Sequence, residues 1–142
     1  MSARSPFLNE EHDAFRRTVR RFVEREITPH IDAWEAAKEF PRELYAKAAA
    51  IGLLGIGFPE DLGGVATDAF YEHIATEELA RAGSGGIIAG LMSHGIGLPP
   101  IVALGSEALK KRLIPPVLAG EQIAALAVTE PGGGSDVANL RA

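Results

Sequence analysis

A chain of 142 residues in which 46% of side chains are hydrophobic carries ample apolar material for one core and is short for two complete domains. Its formal net charge of −5 offers no basic face to a phosphate backbone, which excludes nucleic acid as a partner class. Cysteine is absent, so disulfide frameworks and thiolate metal sites are excluded and the composition suits a reducing, cytoplasmic compartment.

The first residues, Met1 to Pro6, lead into a charged amphipathic segment instead of an apolar signal region, so the chain reads as the start of a soluble protein. Asn9 is placed to cap a helix over 9–28: Glu10, Glu11 and Asp13 suit its positive end, while Phe15, Val19, Phe22, Val23 and Ile27 form one apolar stripe. Pro29 marks its end, and Trp34 falls in the linker that follows. Pro41 opens a short helix over 42–51, with Gly52 placed for a left-handed cap.

Residues 53–65 dissolve into Gly, Pro and Asp. Thr67 is then expected to cap a third helix running to Arg81, with Glu77 and Glu78 on a solvated face. A fourth segment, 87–104, is apolar on nearly every side and reads as the most buried element, kinked or broken at Pro99-Pro100. It lies in a run, 83–105, without Asp, Glu, Lys or Arg. Ser93-His94 in the middle, the two prolines, abundant glycine and the lack of flanking Trp or Tyr favour a buried helix pair over a membrane span.

Ser106 opens a fifth helix whose Lys110, Lys111 and Arg112 present a cationic outer face before Pro115-Pro116. Only then is a strand expected, over 123–128, bounded by Gly120 and Pro131. It runs into Gly132-Gly133-Gly134-Ser135-Asp136. Glycines accept positive φ and let a ligand approach the backbone, so the loop is a candidate anion cradle; an ordinary turn closed by Asp136 fits the same spacing. His12, His30, His73 and His94 show no metal-ligand spacing, and no metal is assigned. His94 reads as a satisfied buried imidazole.

Taken as a motif, Ala-Val-Thr-Glu-Pro-Gly-Gly-Gly-Ser-Asp at 127–136 resembles the flavin-binding signature of the acyl-CoA dehydrogenase family. The pattern departs at Asn139, where a small residue is expected. Gly57-Phe58-Pro59-Glu60-Asp61-Leu62-Gly63-Gly64 resembles the family's Pro-Glu-x-x-Gly-Gly loop, and Ser93-His94-Gly95-Ile96 with Pro100 to Glu107 and Lys110 to Leu113 is similar to its next segment. The resemblance implies a mostly α fold: a helical-bundle N-terminal domain over 1–121, with 122–142 the short β beginning of an incomplete middle domain.

It also implies FAD as cofactor, with Leu126, Val128, Thr129, Gly132, Gly133, Gly134 and Ser135 as cofactor-binding residues. Thr129 fits a plain β-branched strand residue as well. Ser135, Ala89, Met92 and Ile96 are the implied substrate-binding residues, although spacing of three and four is equally that of a core stripe. The implied reaction converts an acyl-CoA thioester to trans-2-enoyl-CoA by α-proton removal to a carboxylate base and β-hydride transfer to the flavin. An electron-transfer flavoprotein is the implied acceptor, and a dimer or tetramer the implied assembly.

The family's base and flavin-covering Trp lie in later domains, so no catalytic residue is assigned here and these 142 residues alone are expected to have no turnover. Two further readings remain open: another flavin chemistry on the same fold, of the acyl-CoA oxidase, nitroalkane oxidase or monooxygenase type, and a non-catalytic helical interaction module.

Overall fold

A computed structural model describes residues 6–141; the reading of Met1 to Ser5 as a non-secretory start and the end of the chain at Ala142 lie outside the described residues. The chain folds as helices joined by tight turns. Helix α1 spans Glu10–Phe22 and starts at a reciprocal cap: Asn9 Oδ1 accepts from the His12 amide at 3.0 Å, and His12 Nδ1 accepts from the Asn9 amide at 3.1 Å. Because Nδ1 accepts, the ring proton sits on Nε2, which donates to the Asp68 carboxylate at 3.1 Å.

The expected single helix to residue 28 is instead interrupted. A π turn occupies Val23–Ile27, with the Thr28 amide bonded to the Val23 carbonyl, and a 3-10 turn follows at Thr28–His30. The wider turn winds the chain less per residue, bringing Ile27 back towards the line of Val19 and Val23, and all three are buried. Trp34 belongs to helix α2, Ile31–Ala37, where the sequence had pointed to a linker; its ring stacks on His30.

Helix α3 covers Glu43–Ala50, and Gly52 takes the left-handed conformation at φ 76°. Between α3 and the next helix, Ile56 bridges Val65 and returns the loop over itself. Helix α4, Ala69–Ala80, is capped by Asp68, which accepts from the Phe70 amide at 2.9 Å. Thr67, the expected cap, instead accepts from the Gly57 amide at 3.3 Å. The His12 ring thus ties the two helix starts together. Burial pushes the Asp68 carboxyl upward, but hydrogen bonds from His12 and Phe70 hold it below its usual range.

α1 packs along α4, and their interface corrects the solvated-face reading of Glu78. That side chain is 1% exposed. Arg20 Nε and Nη2 donate to it at 2.8 Å each, Arg16 Nη1 donates at 2.9 Å, and Arg81 Nε stands 3.5 Å away. The Arg20 hydrogen bonds, joined by Arg16, hold the carboxylate below its ordinary range against the opposing pull of burial.

The apolar segment breaks into three pieces: α5 Gly85–Leu91, capped by Ser84, then α6 His94–Gly97 and α7 Pro99–Leu104. A bend of 50° falls at Met92-Ser93, ahead of the prolines. Pro99 and Pro100 sit in the first turn of α7, where a missing N–H costs nothing. This segment is less buried than its composition predicts: Leu91, His94 and Leu98 are covered, whereas Ile96 is 64% and Leu104 87% exposed. Among the described residues no single helix is long and apolar enough to cross a membrane.

Helix α8, Glu107–Leu118, is capped by Ser106 and runs through Pro115-Pro116 instead of ending there. Each proline removes one backbone bond. The helix holds because Ile114, Val117 and Leu118 bury against Leu62 and Leu98 in a small second core. The main core gathers α1, α3, α4 and α5 around Ile27, Leu53, Leu54, Leu79 and Leu91.

The expected strand at 123–128 is not formed. A strand draws its stability from a paired neighbour, and the described residues lay none beside this segment. A single antiparallel bridge, Glu130 with Gly133, closes the turn that follows. The expected positive φ also lies elsewhere, at Gly52, Gly57, Gly63, Gly83 and Gly120, and not at Gly132, Gly133 or Gly134.

Candidate functional site

An apolar groove of about 510 Å³ runs between one face of α4 and the broken segment α5 to α7. Ala75, Thr76 and Leu79 form one wall; Ile88, Met92, Ile96 and Val102 form the other, with Phe58 from the glycine loop at one end. The break at Met92-Ser93 makes the groove, because a straight helix would carry Ile96 past α4 instead of along it. His94 lines the same space, 4% exposed, its ring 5.8 Å from that of Phe58. Burial pushes its imidazole below the usual range, opposed by hydrogen bonding with the backbone of Leu54 and Leu91, so the ring is neutral at pH 7.

The C-terminal segment is fastened to this wall. Ser93 Oγ donates to the Ala124 carbonyl at 2.7 Å, and a Cβ on Gly97 would come within 3.3 Å of Ala124 Cβ, so the close approach needs glycine there. Beyond the clasp, 125–127 and Thr129 are exposed, Leu126 by 56%. Among the described residues the amides of Leu126, Val128 and Thr129 donate to no backbone or side-chain acceptor. The Glu130 and Gly133 amides exchange bonds of 3.0 and 3.1 Å, and the Glu130 carboxylate accepts from the Arg141 amide at 3.1 Å. A Cβ on Gly132 or Gly133 would meet nothing of this chain within 4 Å, whereas one on Gly134 would rest 3.4 Å from Thr129.

The comparisons with known proteins bear on the fold that carries this groove and segment. The family model for the N-terminal domain of acyl-CoA dehydrogenases matches residues 9–121. The chain belongs to the acyl-CoA dehydrogenase family. It is 44% identical over 131 residues to the mitochondrial long-chain specific acyl-CoA dehydrogenase of Sus scrofa, covering 92% of this chain and 30% of that protein. It superposes with a TM-score of 0.87 and 51% identity on a probable acyl-CoA dehydrogenase from Mycobacterium abscessus, covering 94% of this chain and 36% of that one. An acyl-CoA dehydrogenase from Bacillus anthracis solved in complex with FAD aligns with a TM-score of 0.83 at 34% identity, over 96% of this chain and 24% of the other. The chain thus spans between about a quarter and about a third of the length of these relatives.

Within this acyl-CoA dehydrogenase domain, the structure brings Met92 and Ile96 into one groove and leaves Ala89 exposed outside it. Both Ile88 and Ala89 precede the bend: Ile88 lies one turn before Met92 and shares its inward face, while Ala89 is exposed. Ser135 lies outside the groove lining, on the exposed loop. Sequence reasoning missed the α4 wall, although its signal was present: Glu72, Ala75, Thr76 and Leu79 follow the spacing that places four residues on one helical face.

Proposed function

We propose that this chain forms one wall of the flavin and thioester site of an FAD-dependent acyl-CoA dehydrogenase, converting an acyl-CoA to its trans-2-enoyl-CoA. The observation that carries the reading is the Ser93 to Ala124 clasp, which sets the donor-bearing segment beside the apolar groove. The donor chemistry fits the cofactor: free amides at Leu126, Val128 and Thr129 suit the acceptor-rich pyrimidine edge of a flavin, and the Thr129 hydroxyl adds a donor. FAD, when bound, supplies the capacity to accept a hydride.

The chain's own residues do the positioning. Leu126, Val128 and Thr129 hold the ring edge and stabilise negative charge there, while Gly132, Gly133, Gly134 and Ser135 let the pyrophosphate pass close to the backbone. Ser135 also reaches toward the thioester. Met92 and Ile96, with Ile88 and Phe58, exclude water from the acyl chain. The boundary near 121–122 marks where the helical domain hands over to the middle domain, and the base, the remaining domains, an electron-transfer flavoprotein and a homo-oligomeric assembly complete the enzyme.

The test is to purify the intact protein and record its flavin spectrum, then follow enoyl-CoA formation with an electron-transfer flavoprotein and oxygen uptake in parallel. The expected result is a yellow protein that forms enoyl-CoA with the flavoprotein acceptor. Oxygen uptake in place of acceptor reduction would move the assignment to an oxidase. A colourless protein that refuses added FAD would overturn the reading.

A further inference from the structure

The groove carries one formal charge whose place the family reading leaves unexplained. Glu72 lies in its lining on α4, one helical turn before Thr76. Its carboxylate has no ion pair or hydrogen bond among the described residues; the Thr76 hydroxyl donates to its backbone carbonyl at 2.9 Å. The rest of the lining is apolar or neutral. It contains no Lys or Arg, and its only other ionisable group, His94, is kept neutral by burial on the opposite wall. The neighbouring charges on α4 point their bonds elsewhere: His73 pairs with Glu77 at 3.2 Å, Glu77 with Arg16 at 2.6 Å, and Glu78 with Arg16 and Arg20.

On the reading that the groove holds the acyl chain, we infer that Glu72 is a specificity-determining residue that restricts the substrate to acyl groups without a negative charge at the far end. A neutral chain lies along Ala75, Leu79, Ile88 and Met92 and meets the carboxylate only where the groove reaches solvent, so it loses little. An ω-carboxylated chain of equal length brings a second anion past an apolar lining that offers no cation and up to Glu72 at the solvent edge, so its passage costs desolvation and the two charges repel through a partly aqueous medium. The discrimination arises from repulsion, not from a contact to the preferred substrate.

The experiment compares kcat/KM for octanoyl-CoA and for the eight-carbon ω-carboxyacyl-CoA in the intact protein, alongside Glu72→Gln and Glu72→Lys. The expected wild-type preference for the neutral chain is about tenfold, falling by about threefold in Glu72→Gln and further in Glu72→Lys, since Glu72 is exposed and its repulsion is screened. The readout is the ratio of the two kcat/KM values, because a general effect of either substitution on the groove moves both together. Unchanged thermal midpoints would separate this charge effect from misfolding. Equal turnover of both thioesters by wild type, or a ratio unmoved by either substitution, overturns the role of Glu72 while leaving the acyl-CoA reading intact. Failure of the wild-type protein to turn over either thioester, despite bound flavin, overturns both.

Discussion

The α1 to α4 interface and the segment after Gly120 are opposites in how they use their polar groups. At the interface nearly every donor has an acceptor inside the chain: Asn9 and His12 cap each other, His12 reaches Asp68, and Arg16 and Arg20 converge on Glu78. Past Gly120 the backbone is held by the Ser93 clasp and the Glu130 turn, and amides at Leu126, Val128 and Thr129 remain available. One region completes itself. The other leaves its donors open, and on the proposed function the difference separates what holds the fold from what would serve chemistry.

The sharpest way to break the comparison is Glu78→Ala. It removes the acceptor of Arg20 and one of the two acceptors of Arg16, which keeps Glu77 at 2.6 Å; both arginines reach solvent, so a loss of about 2–3 kcal/mol is expected in urea unfolding of the intact protein. A loss under about 1 kcal/mol would mean that the interface does not depend on its ion cluster. The same group makes the comparison pH dependent. The folded-state pKa of Glu78 is depressed from the ordinary 4.5, so its contribution is complete above pH 4.5 and is lost as pH falls through the folded value. The stability gap between wild type and Glu78→Gln should therefore narrow below pH 4.5; a constant gap down to pH 3 would contradict the cluster's ionic character.

A smaller effect is expected from Asn9→Ala, which removes one half of the reciprocal cap and should cost about 1 kcal/mol. The smallest is Gly133→Ala. No atom of the chain opposes a Cβ there, so stability should stay within about 0.5 kcal/mol of wild type. Flavin affinity should nonetheless fall by about tenfold or more in fluorescence titration, because a methyl group would stand where the backbone must approach the cofactor. Unchanged affinity would remove the loop from the site.

The parts of the fold that local chemistry specifies were legible in the sequence. Asn9, Gly52 and Ser106 sit at the ends they were expected to mark, since capping depends on a few neighbouring residues. The misreadings share a cause, which is that a distant residue decided the outcome. Asp68 displaced Thr67 as a cap because His12 orients its carboxylate from 56 residues away. Glu78 reads as a surface charge until α1 brings two arginines against it. Pro115-Pro116 was expected to stop a helix that the second core carries through. In the groove lining, Met92 and Ile96 were readable from their apolar setting, while Ile88 and Glu72 follow helical spacing that needed the facing wall to show which side of each helix turns inward.

The π turn at Val23–Ile27 gives the first helix an adjustable length. A one-residue deletion there can be absorbed by reverting to ordinary α winding, leaving overall helix content nearly unchanged in circular dichroism. Ile27 would then follow Val23 by three ordinary α steps, close to the place it already holds on the Val19 line, so the start of α2 keeps its seat. Near-ultraviolet dichroism of Trp34 should stay close to that of the parent chain, whereas inserting a residue into ordinary α winding elsewhere in α1 should alter it.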